Sequence, residues 1–171
     1  MEWILYAVLA FALFVFLGYN RIIRLRSNAY KSYEGLDRHI EKRNDLTNDI
    51  LSFLQKTIKN DNSKLIELND LILKDKNDDL TLTQRIRLNN KITLLAKEIM
   101  EELEDNPELK NNKDFEHFKK SLNDISQQLR DVSGNYNEAA MMYNNSIYMF
   151  PSNVFAMSFG FKPLPEFEDS K

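Results

Sequence analysis

Between Phe115 and Ile147 apolar side chains recur in steps of three and four: Phe115, Phe118, Leu122, Ile125, Leu129, Val132, Tyr136, Ala139, Tyr143 and Ile147. That spacing lays one unbroken stripe along one face of a single helix. At 1.5 Å per residue such a helix is roughly 50 Å long. A stripe of that length has to be buried against a partner of similar length. The chain supplies one, the segment that follows its N-terminal apolar run. There Ile22, Leu25, Ala29, Tyr33, Leu36, Ile40, Arg43, Thr47, Ile50 and Leu54 keep heptad-like steps, with two polar interruptions. A helix is therefore predicted from Arg21 to a stop at Lys59-Asn60-Asp61-Asn62, roughly 60 Å in length.

The shorter elements follow from local signals. Leu65, Leu68, Leu71 and Ile72 mark a short helix, and Lys74 to Asp79 reads as a charged connection. Thr81 with Gln84 fits a capping box, ahead of an apolar face made by Ile86, Ile92, Leu95, Ile99 and Leu103. Pro107 ends that helix, because the residue before a proline leaves the α region. Asn112 or Asp114 is the predicted cap of the long helix, and Pro151 closes it. Only 4 Gly and 4 Pro occur in the chain, which also favours helices over a β-rich fold.

Trp3 to Tyr19 contains no charged residue and is apolar on every face. About 17 residues is the lower limit for crossing the hydrocarbon core. Trp3 and Tyr6 lie near one end and Tyr19 near the other, as interfacial aromatics do. Arg21, Arg24, Arg26 and Lys31 follow at once. The excess of basic residues on that side predicts an N-terminus outside and everything after Asn20 in the cytoplasm. A cleaved signal peptide would need a basic start and small residues at a cleavage site, and neither is present. A buried helix of a soluble core is the other competing reading.

The net charge of -3 gives no reason to expect nucleic-acid binding, which calls for a basic domain. With no Cys, thiolate chemistry and disulfides are excluded. His39 and His117 are the only histidines. Asp114-x-x-His117 resembles half of a di-iron bundle site, but such a site needs two such motifs and two further carboxylates. Leu36 stands three residues before His39, so the second half is missing. Glu101-Glu102-Leu103-Glu104-Asp105 diverges around a helix and reads as a solvated face. The hydroxyls near Ser133 have no histidine base in register, so a nucleophile is not expected, and no Gly-rich phosphate loop occurs. Tyr136, Tyr143 and Phe150 sit seven apart and read as core packing. Asn137 and Asn144, each following a Tyr, either fix register across helices or face water. No catalytic, cofactor-binding or metal-ligating residue is assigned.

Tyr19-Asn20, Leu25-Arg26-Ser27-Asn28, Leu36-Asp37 and Lys42-Arg43-Asn44-Asp45-Leu46 resemble the opening block of the LemA family of bacterial membrane-anchored helical proteins. Asn106-Pro107-Glu108-Leu109-Lys110 with Phe115 resembles its Y-P-D-L-K…F stretch. Tyr136-Asn137, Tyr143-Asn144, Ile147, Phe150-Pro151, Ala156, Gly160-Phe161 and Phe167-Glu168 resemble its Y-N…Y-N…I…F-P…A…G-F…F-E ending. The sequence departs from the family at Ser32-Tyr33-Glu34 and at Thr47-Asn48-Asp49-Ile50. The resemblance implies a single N-terminal span and a cytoplasmic helical bundle, and brings no enzymatic activity with it.

The expected fold is all-α, an N-terminal transmembrane helix continuing into an elongated antiparallel four-helix bundle. The expected divisions are a transmembrane anchor over 1–20, the cytoplasmic bundle over 21–161 and a flexible tail over 162–171. Trp3, Tyr6, Tyr19, Arg21, Arg24 and Arg26 are the anchor and interface residues. Phe155, Met157, Phe159 and Phe161 are candidates for a second membrane contact, and capping of the bundle's open end competes with that role. The expected function is a non-enzymatic, single-pass structural or adaptor protein of the inner or plasma membrane. An oligomeric, membrane-organising assembly is the alternative. The expected partners are the lipid bilayer, an unidentified protein and further copies of the chain.

Overall fold

The structure is a computed structural model that describes residues 2–57, 63–77 and 79–168, the side chain of Phe155 excepted. It is all-α: α1 (Glu2–Thr57), α2 (Ser63–Asp75), α3 (Leu82–Glu104), α4 (Lys113–Tyr148) and α5 (Ser152–Ser158). The predicted continuous first helix and the long fourth helix are both present. The stop expected at Lys59-Asn60-Asp61-Asn62 lies outside the described residues.

The helix ends follow the local chemistry. Thr81 Oγ1 accepts from Gln84 N–H, and the Gln84 side chain accepts from Thr81 N–H, so the capping box is complete. Asn112, not Asp114, caps α4: its Oδ1 accepts from the N–H groups of Asp114 (2.9 Å) and Phe115 (3.2 Å). Those donors would otherwise be orphaned in the first turn. The chain then folds as two compact units.

One unit takes Met1–Tyr33 and Asn135–Glu166. Its core is Ile22, Ala29 and Tyr33 from α1 with Tyr136, Ala140, Tyr143 and Ile147 from α4, joined by Ala156 and Leu164. The Tyr33 and Tyr136 rings meet edge to face at 5.8 Å. After a cis Phe150–Pro151 bond the chain forms α5, a helix too short to leave a periodic signal. α5 closes where Gly160 adopts φ +69. Its N–H bonds to the Met157 carbonyl and Phe161 N–H to the Ala156 carbonyl. This is a Schellman-type end, for which glycine is the residue without a steric cost.

The second unit takes Glu34–Gly134 and the chain from Phe167. Here the four-helix bundle is found. Ile50, Leu51 and Leu54 of α1 pack with Leu65, Leu68, Leu71 and Ile72 of α2. Ile92, Leu95, Ile99 and Leu103 of α3, Leu109 of the connection after it and Phe115 of α4 complete the cluster. The Phe53 and Phe118 rings lie 5.4 Å apart. Four-helix packing belongs to this unit alone; the other is built from two long helices, α5 and an extended strap that begins at residue 161.

Two stretches carry contacts that the sequence reading leaves out. The chain from Lys162 to Glu168, expected as part of a flexible tail, carries buried side chains: Leu164, whose backbone is bonded by Asn144 of α4, and Phe167. Glu168 N–H also donates to Asn90 Oδ1 at 3.0 Å. Residues 169–171 lie outside the described part. The charged connection from Lys74 also begins later than expected, since Asp75 is the last residue of α2 and is buried.

Candidate functional site

Three features carry the polar and interfacial chemistry of the chain. The first is the start of α1. From Trp3, 86% exposed, the apolar side chains through Leu17 are exposed, Val15 excepted. Val15 and Gly18 are the first half-buried positions. Tyr6 is exposed and Tyr19 about one-third so. Arg21, Arg24 and Arg26 all face outward, and the Arg26 guanidinium lies 5.5 Å from the centre of the Tyr30 ring. The ring of Phe159 sits 5.0 Å and that of Phe161 5.8 Å from the Tyr19 ring. Met157 is exposed. Phe155 lies in α5, but its side chain is outside the described ones. The structure thus brings Tyr19, Phe159 and Phe161 together, and leaves Trp3 and Tyr6 by themselves at the far end of the run.

The second feature is a clamp on the strap. Tyr136 Oη donates to the Pro165 carbonyl (2.7 Å) and Tyr143 Oη to the Lys162 carbonyl (2.9 Å). Asn144 Nδ2 donates to the Leu164 carbonyl (2.8 Å), and Asn144 Oδ1 accepts from Leu164 N–H (2.9 Å). Pro163 and Pro165 have no N–H to satisfy. Leu164 therefore has the one donor between them, and it is used. Burial pushes both phenols above their ordinary range, Tyr136 furthest, which keeps the hydroxyls protonated as donors. The seven-residue spacing of Tyr136 and Tyr143 does put their rings in the core. Their hydroxyls, and Asn144, hold a segment that sequence spacing leaves as a loose tail.

The third feature is a buried polar layer in the four-helix unit. Arg43 donates through Nε and one terminal nitrogen to Asn44 Oδ1 (3.3 and 3.0 Å). It also reaches Asn89 Oδ1 at 2.7 Å and Thr93 Oγ1. Asn44 and Asn89 turn their amide nitrogens to the two carboxylate oxygens of Asp75, at 2.8 and 2.7 Å. Arg85 donates to the Asp75 backbone carbonyl at 2.9 Å. A guanidinium and a carboxylate are thus joined through two amides, across α1, α2 and α3. Burial raises the Asp75 carboxyl above its ordinary range, opposed by the Asn89 hydrogen bond and by the charges of Arg85 and Arg43. Cavities of about 330 and 320 Å³ lie in this unit, one reaching Arg43, Thr47 and Thr93, the other Asn44 and Asp75. Arg43 and Thr47 were visible in the sequence as breaks in an apolar stripe. Asn44, Asp75 and Asn89 gave no such signal, because nothing in a single helix marks a polar residue whose partners come from two others.

His117 is exposed beside Phe118, and His39 contacts the Gly35 carbonyl through Nδ1 at 3.1 Å. Among the described residues no three His, Cys, Asp or Glu side chains are grouped closely enough to hold a metal ion.

The model of the LemA family matches residues 32–171. The matched span takes in the buried polar layer, the tyrosine clamp and the strap, and leaves the exposed apolar start of α1 outside it. Comparison with curated proteins returns no match.

Proposed function

The chain belongs to the LemA family, and from that premise we propose that it is a single-pass structural or adaptor protein whose helical part faces the cytoplasm. Family membership and the apolar helix fit a membrane-associated helical protein. The observation that carries the reading is the continuity of α1. Its first part is apolar and largely exposed, Val15 and Gly18 being half-buried, and the same helix goes on into the folded units. An exposed apolar helix of that length is costly in water and stable in hydrocarbon. Arg21, Arg24 and Arg26 immediately after it support a cytoplasmic folded part. A positioning role, not a catalytic one, is supported by the buried polar groups, which are bonded to each other and to the backbone.

The absence of Cys makes the topology testable by single substitutions. Lys31→Cys in intact cells should react with a membrane-impermeant maleimide only after permeabilisation. Labelling of intact cells would reverse the orientation. Extraction of the full chain by alkaline washing, without detergent, would remove the anchor.

A further inference from the structure

We propose that residues 148–161, comprising α5 and the turn before it, form a second membrane contact, seated in the headgroup layer of the bilayer that α1 enters. The inference rests on the anchor reading above and adds a surface to it.

From Ala139 to Phe161 the chain carries no charged residue. Within that stretch Phe150 and Met157 are each 84% exposed, and Tyr148, Met149, Val154 and Phe159 are more than half exposed. The inward side of α5 is provided by Ala156, which is buried. Apolar side chains exposed together in this way are uncommon on a surface that meets only water.

The occupant is identified by where this stretch is fastened. The Phe159 and Phe161 rings touch Tyr19, the last aromatic of the charge-free run in α1. The half-burial of Val15 and Gly18 shows that the cover of α1 already begins within that run. A bilayer that surrounds Trp3 to Leu17 therefore reaches the depth at which α5 is held. Phe, Tyr and Met side chains at that depth match the boundary between headgroups and acyl chains. Arg21 and Arg24, exposed just beyond Tyr19, and Lys162, exposed just after Phe161, supply cations for anionic headgroups. The chain just after this segment is fastened to α4, since the Tyr143 hydroxyl holds the Lys162 carbonyl and Asn144 holds Leu164. A second contact of this kind restrains how this unit tilts and turns about its span.

The chain has one Trp, at position 3, so tryptophan quenching separates the two readings. The full chain is placed in vesicles of phosphatidylcholine and phosphatidylglycerol containing brominated lipids. Trp3 should be quenched if α1 is inserted. In a Trp3→Phe background, Met157→Trp should be quenched by lipid brominated near the headgroup end, to a level comparable with Trp3. Ile66→Trp, exposed on α2, should be unaffected. Quenching of Trp3 without quenching of Met157→Trp overturns the second contact and leaves the anchor. A blue-shifted but unquenched Met157→Trp means that protein, such as a second copy, covers α5, and also overturns it. No quenching of Trp3 removes the anchor and this inference together. Quenching of Ile66→Trp as well means the whole chain lies on the vesicle, and the specific contact fails.

Discussion

Asn144 grips Leu164 by both ends of its amide: Nδ2 donates to the Leu164 carbonyl at 2.8 Å, and Oδ1 accepts from the Leu164 N–H at 2.9 Å. A side chain here does for the strap what a neighbouring strand would do in a sheet. Asn144→Ala leaves a buried N–H and C=O without these partners, at a cost of about 1–3 kcal/mol. Hydrogen exchange should quicken at Leu164 and little in α2 or α3. Unchanged exchange at Leu164 would mean that the prolines and apolar packing alone hold the strap.

Tyr136 gives the strap a pH limit. Burial raises its phenol above the ordinary value of 10.0. Above that value the unfolded chain loses the proton while the folded one keeps it. The contribution is therefore complete below about pH 10 and is lost as pH climbs toward the folded value. Tyr136→Phe should lose about 1 kcal/mol at neutral pH, with the hydroxyl to the Pro165 carbonyl gone. It should then lose less than the parent on going to about pH 11. Denaturant midpoints for both proteins across that range provide the check.

The long elements were legible because burial on one face imposes a period. The stripe from Phe115 to Ile147 and the run from Ile22 to Leu54 are the buried or half-buried faces of α4 and α1. The Thr81–Gln84 box and the stop before Pro107 were legible because they act over a few residues. The strap was not. Leu164 and Phe167 are two apolar residues among prolines and charges, and the segment around Leu164 is held by donors about 20 residues away in α4. α5 is one short helix after a proline, too brief to show a period. The Arg43–Asp75 layer needs groups from three helices at once.

Leu129 tests the stripe itself. It is buried in the middle of α4, while Gln128 beside it is exposed. Leu129→Asp removes a buried side chain, worth about 2–5 kcal/mol when truncated, and adds a carboxylate without a partner. Its melting temperature by circular dichroism should fall sharply, and that of Gln128→Asp should hardly move. Equal effects would show that the stripe is not the buried face in solution.

Asp75 is the member of the polar layer whose change is most informative, because it only accepts. Asn44 and Asn89 each point an N–H at one of its oxygens. In Asp75→Asn one oxygen becomes an NH2 group facing another donor. Turning either neighbour over would take an oxygen away from Arg43. No rearrangement satisfies all four groups, so a loss of about 1–3 kcal/mol is expected at neutral pH. Arg43→Met should cost about 1–3 kcal/mol, since it leaves the buried Asn44 and Asn89 oxygens without their guanidinium donor while Arg85 still acts on Asp75, and should raise the Asp75 carboxyl further. The pH dependence has a definite sign. A carboxyl raised above its ordinary 3.8 by burial favours folding while protonated. That contribution is present below about 3.8 and is lost as pH rises through the folded value. Other carboxyls act in the opposite direction, as Glu67 does beside Lys91. The quantity to measure is therefore the stability difference between parent and Asp75→Asn as a function of pH, with the Asp75 titration followed by carboxyl carbon NMR. A difference that narrows toward neutral pH supports a buried carboxylate held by two amides. A difference that widens as pH rises would mean that Arg43 and Arg85 outweigh desolvation, so that the layer acts as an ion pair.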